Sequence, residues 1–69
     1  MTKRTLLLEA LEKKYESKRA DALATLEVYF DNAAGIGEHP QIVEEMSKQM
    51  EDLATAEDIL GSLRRNYKK

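Results

Sequence analysis

The stretch Asn32-Ala33-Ala34-Gly35-Ile36-Gly37-Glu38-His39-Pro40 decides the fold. Gly35, Gly37 and Pro40, the one proline, fall within six positions near the middle of a 69-residue chain. Glycine reaches backbone angles that end a helix, and proline suits the first position of the next one. The stretch therefore reads as a reversal between two helices, with Ala34 as the C-cap, His39 as the N-cap and Pro40 opening the second helix. Ile36 is the apolar residue expected to fold back onto the hairpin. Glu38 and His39 are more than a reversal requires, so Gly35, Ile36, Gly37, Glu38, His39 and Pro40 together form a candidate contact tip.

Before the turn, no glycine or proline interrupts positions 5–34. Thr5 is the expected N-cap and Thr2 the alternative one turn earlier. Leu8, Leu11, Tyr15, Ala22, Leu26, Tyr29 and Ala33 recur at helical spacing and define one face. Leu7, Leu23, Val28 and Phe30 lie beside or off that face and widen the apolar stripe. After the turn, Met46, Leu53, Leu60 and Tyr67 repeat every seven residues, with Ile42, Ala56 and Leu63 as an adjacent row. Another row begins with Val43 and Met50 and turns polar at Glu57 and Arg64. Seven-residue apolar repeats are the mark of a coiled-coil-like seam. The helix–helix seam is thus expected from Leu8, Leu11, Tyr15, Ala22, Leu26 and Tyr29 on one side. Met46, Met50, Leu53, Leu60 and Tyr67 supply the other. Gly61 interrupts the second helix, either for close packing or by fraying the last turn.

The expectation is an all-α, single-domain chain: helix about 5–34, turn 35–39, helix about 40–67, packed as an antiparallel hairpin. Two helices bury little, and chains this short seldom hold a core alone. Leu6, Leu7, Leu23, Val28, Ile59 and Leu63 cannot all face one partner helix. The hairpin is therefore expected to dimerise, most simply into a four-helix bundle. Attachment to a larger assembly is the competing solution.

Composition narrows function by exclusion. There is no cysteine and one histidine, which removes disulfides, thiolate zinc sites and multi-histidine metal sites within one chain. Gly35-Ile36-Gly37 lacks the third glycine and the preceding strand of a phosphate-binding loop. Ser17, Ser47 and Ser62 have no histidine in a nucleophilic arrangement. No catalytic, cofactor or metal residue is assigned, and the chain is expected not to be an enzyme. The longest apolar run, Leu6-Leu7-Leu8, is far short of a membrane span of roughly 20 residues. No signal peptide is read, because charged residues follow at once. A soluble, cytoplasmic protein is expected.

Charge supplies the second functional reading. Charged residues make up 35% of the chain, yet the formal net charge is only −2. Antiparallel packing would gather Lys3, Arg4, Arg64, Arg65, Lys68 and Lys69 at the end that carries both termini. A basic end could meet nucleic acid or an acidic protein surface. The pI near 5.4 and the lack of aromatic residues among those cations weigh against nucleic acid. The favoured function is a non-enzymatic protein–protein interaction or assembly module. The alternative is a small dimeric nucleic-acid-binding protein using the basic end.

The segment from Ala24-Thr25-Leu26 through Gly35-Ile36-Gly37-Glu38-His39-Pro40 to Ala54-Thr55-Ala56-Glu57-Asp58 resembles a group of short helical-hairpin proteins of tailed bacteriophages. Their shared feature is a Gly-Ile-Gly-Glu-His-Pro turn joining two charged helices. Here Asn32-Ala33-Ala34 precedes the turn, where the group carries an Asn-Pro-Val type of sequence. The resemblance implies a phage accessory or virion-associated protein whose partner is a larger phage or host protein. It brings no activity with it.

Overall fold

The structure, a computed structural model, describes residues 2–31 and 41–67. Its two elements are α1, Lys3–Asp31, and α2, Ile42–Tyr67. The described residues contain no strand. The expected turn, including the His39 and Pro40 start of the second helix, lies outside the described residues, as do Lys68 and Lys69.

Helix α1 begins earlier than the Thr5 cap would place it. Thr2 is the cap: the Thr5 backbone N–H donates to Thr2 Oγ1 at 3.2 Å, and the two hydroxyls share a hydrogen bond at 3.0 Å. This side-chain acceptor satisfies one of the amides that a helix start leaves unpaired. The Leu6 N–H then donates to the Thr2 carbonyl at 3.1 Å, which closes the first helical turn. In α2 the first such bond within the described residues runs from the Glu45 N–H to the Gln41 carbonyl at 3.0 Å.

The helices differ in how charge marks their ends. α2 carries Glu44 and Glu45 in its first turn and Arg64 and Arg65 in its last, matching the helix dipole. α1 has no acidic residue in its first turn and no basic residue in its last. Lys3 and Arg4 even oppose the dipole at that end. α1 is therefore held by its cap and by packing, without electrostatic help at its ends.

Three cross-helix pairs fix the direction of packing. Arg4 sits over the Tyr67 ring, 5.8 Å from its centroid. Arg19 meets Glu57 and Tyr29 meets Glu45. As numbers rise along α1 they fall along α2, so the helices are antiparallel. Both described chain ends, near Thr2 and Tyr67, lie together. The molecule is a rod of 52 × 17 × 15 Å, one layer of two helices.

The core is a single strip along the seam. Ala22, Leu26, Leu53, Ala56, Leu60 and Leu63 are buried, and Met46 packs against the group of Ala22, Leu26 and Leu53. Ala22 and Ala56, one on each helix, are the most enclosed residues, at 2% and 1% exposure. Their small side chains let the backbones approach there. Ala20 and Ala24 are exposed, so on α1 the close approach falls at Ala22.

Candidate interaction surface

The expected seam residues divide into an inner and an outer set. Ala22, Leu26, Leu53 and Leu60 are buried, while Leu8, Tyr15, Tyr29 and Met46 are half-buried. Leu11, Met50 and Tyr67 are exposed and flank the seam instead of filling it. Ala56 and Leu63, from the adjacent row of α2, are buried in their place. The contact face of α2 therefore runs between the Met46–Leu53–Leu60 row and the Ala56–Leu63 row. Met50 stands three residues before Leu53, about 60° round the helix from it, which turns it to the edge.

Polar side chains clamp the two edges of the seam. Arg19 Nε donates to Glu57 Oε2 at 3.1 Å, with both side chains about half exposed. The Tyr29 hydroxyl donates to Glu45 Oε2 at 2.8 Å. Twelve residues separate Glu45 from Glu57, which places them about 120° apart around α2. The two bonds therefore lie on opposite edges. The hydrogen bond to the Glu45 carboxylate, with smaller help from desolvation and charge repulsion, holds the Tyr29 hydroxyl above its ordinary pKa. The hydroxyl–carboxylate pair is a fastener near the turn end of the rod.

The Arg19–Glu57 edge has a consistent pattern along its length. On α1, Glu9, Glu16, Leu23 and Phe30 step by seven, and Arg19 lies one turn before Leu23. On α2, Val43, Met50, Glu57 and Arg64 step by seven. Because Arg19 and Glu57 meet, these two rows border the same edge. Both rows are apolar toward the turn end and charged toward the terminal end. Leu23, Phe30, Val43 and Met50 are 38%, 59%, 71% and 50% exposed. Leu6, Leu7, Leu11 and Val28 are exposed elsewhere on α1.

At the terminal end, Lys3, Arg4, Arg64 and Arg65 are all exposed and lie on adjoining turns of the two helices. The Arg4–Tyr67 stacking places an aromatic ring against this basic group, an association that the spacing of the cations alone did not show. The candidate tip at Gly35, Ile36, Gly37, Glu38, His39 and Pro40 lies outside the described residues.

Gly61 has a local explanation. A Cβ built there would meet only Arg65, with Nη1 at 3.1 Å, and no atom of α1 within 4 Å. The glycine thus makes no room for the other helix. It lies beneath the guanidinium of a side chain one turn later in its own helix.

Among the described residues, no group of three or more His, Cys, Asp or Glu side chains is placed to hold a metal ion. Among the described residues, no helix is long and apolar enough to cross a membrane. Shallow clefts border the seam, one of them lined by Tyr15, Lys18, Asp21, Gln49 and Asp52. Comparison with protein-family models, curated proteins and solved structures gave no match.

Proposed function

We propose that this chain is a non-enzymatic protein–protein interaction or assembly module that works as a homo-oligomer, most simply a dimer of hairpins forming a four-helix bundle. The observation that carries this reading is surface area. A folded monomer of 7.9 kDa is expected to expose about 4,400 Å². This hairpin exposes 5560 Å². The excess of about 1,100 Å² exceeds the roughly 800 Å² that each partner contributes to a standard interface. The exposed residues include large apolar ones, Leu6, Leu7, Phe30, Val43 and Met50 among them. A second layer of helices would convert this rod into a bundle with an interior. Because association and folding are then coupled, the melting midpoint of the helices rises with protein concentration. A midpoint that stays constant over a hundredfold dilution would contradict the proposal.

A second reading is a dimer that binds nucleic acid through the basic end. Its support is the grouping of Lys3, Arg4, Arg64 and Arg65 with Tyr67 at the terminal end of the rod. Phosphate contacts weaken steeply with salt. On this reading, RNA or DNA binds at low salt and is released as salt is raised, and charge-reversing Arg4 and Arg64 abolishes binding. No binding at low salt eliminates it. The resemblance of the turn to phage hairpin proteins supports a phage accessory or virion-associated role, with a larger phage or host protein as the next partner.

A further inference from the structure

We infer that the edge bearing Leu23, Phe30, Val43 and Met50 is the surface that takes a second copy of this chain, and that the two hairpins lie parallel, with their turns at the same end. The inference rests on the homo-oligomer reading and adds the face and the orientation.

Four observations carry it. First, these four large apolar side chains come from both helices, and all are exposed. Second, they lie together. The Arg19–Glu57 bond aligns the rows Leu23–Phe30 and Val43–Met50 along one edge. The Arg19–Glu57 and Tyr29–Glu45 pairs set the register, which puts Phe30 level with Val43 and Leu23 close to the level of Met50. Third, the area exposed beyond that of a globular monomer, about 1,100 Å², is enough for one partner's share of a standard interface.

The fourth observation selects the orientation. The same edge carries Glu9, Glu16, Glu57 and Arg64 in its terminal half. If the copies overlapped fully with turns at opposite ends, the apolar quartet of each would cover these charges on the other. Burying charge against hydrocarbon is strongly unfavourable. With turns at the same end, a two-fold axis runs along the rod and α1 of each copy faces α2 of the other. Leu23 and Phe30 of one copy then meet Met50 and Val43 of the other. Glu9 stands at the level of the second copy's Arg64, opposite in sign, and Glu16 at the level of its Glu57, whose charge Arg19 already offsets.

The opposite edge is the weaker candidate. Its α1 row runs Leu7, Lys14, Asp21, Val28, so two charges separate its apolar residues. Leu7 and Glu9 flank the half-buried Leu8 on opposite sides, which makes Leu7 a control position outside the proposed interface.

The test combines mass and distance on the full chain. The native chain is expected to sediment as a dimer. Leu23→Glu combined with Met50→Glu is expected to weaken dimerisation at least a hundredfold, while Leu7→Glu leaves it unchanged. The chain has no cysteine, so Lys3→Cys carries a single spin label at the terminal end without altering the edge. Parallel hairpins place the two labels roughly 15–30 Å apart, a few helix diameters. Hairpins with turns at opposite ends place them about as far apart as the 52 Å length of the rod, or farther. A dimer that survives the double substitution, or long label distances in a native dimer, overturns this inference and leaves the homo-oligomer reading intact. A native chain that stays monomeric overturns both, and leaves the edge to a different protein. If the double variant loses helix along with dimer, the label distance decides.

Discussion

Arg19 and Glu57, 38 residues apart in sequence, meet at 3.1 Å across the outside of the helix seam. The pair joins the middle of α1 to the second half of α2 and marks the boundary between the apolar and charged halves of one edge. Its energetic contribution is small, because both side chains are about half exposed. An exposed ion pair contributes about 0.2–1 kcal/mol and less at high salt. In a single hairpin a double-mutant cycle with Arg19→Ala and Glu57→Ala returns a coupling in that range, whereas in the proposed dimer, whose interface includes this edge, the coupling should exceed it. A coupling several times larger would mean that the pair is enclosed in the assembled protein.

The narrow core makes stability depend on few side chains. Leu60 is buried on the seam, with 4% of its surface exposed. Leu60→Ala is expected to lose about 2–5 kcal/mol. A core of this size supplies on the order of 3–5 kcal/mol in total. The variant should therefore be largely unfolded by circular dichroism at room temperature. A loss under about 1 kcal/mol would place Leu60 outside the core.

Tyr29 gives the fold a pH dependence at the alkaline end. Its hydroxyl donates to the Glu45 carboxylate, and its pKa is raised in the folded chain. The folded state thus holds this proton more tightly than the unfolded state. The contribution is complete below the unfolded tyrosine pKa of about 10 and is lost as pH rises through the folded value. Absorbance titration of tyrosinate should show a late-ionising component that Tyr29→Phe removes and Glu45→Gln shifts down. An unchanged titration in Glu45→Gln would disprove the coupling.

Gly61→Ala should stabilise the protein. A helix interior favours alanine over glycine by about 1 kcal/mol. The new methyl would meet only the guanidinium of exposed Arg65, which can swing away. A gain of about 0.5–1 kcal/mol in urea unfolding is expected. A loss would mean that Arg65 is fixed over Gly61, as in an interface that uses it.

Most of the helical architecture was legible in the sequence, for a simple physical reason. Apolar residues at helical spacing must share a face, so Leu26, Leu53 and Leu60 could be placed on the seam without coordinates. Finer placement depended on which of two adjoining rows α2 turns inward. A one-dimensional pattern leaves that choice open, which is why Met50 is expected on the seam and is found on its flank. The Thr2 cap was ambiguous because Thr5 precedes the same leucines, and only the 3.2 Å bond from Thr5 to Thr2 separates the two. The candidate edge was half legible. The change from Val43 and Met50 to Glu57 and Arg64 could be read along α2. That Leu23 and Phe30 border the same edge required the Arg19–Glu57 contact, since spacing within one helix cannot say which side of a partner it faces.

On the proposed function, this hairpin is completed by another copy of itself. Light-scattering mass of the intact chain at micromolar concentration tests it most directly. A folded, helical species of twice the 7.9 kDa chain mass is expected. A folded, stable species of 7.9 kDa under the same conditions would contradict it.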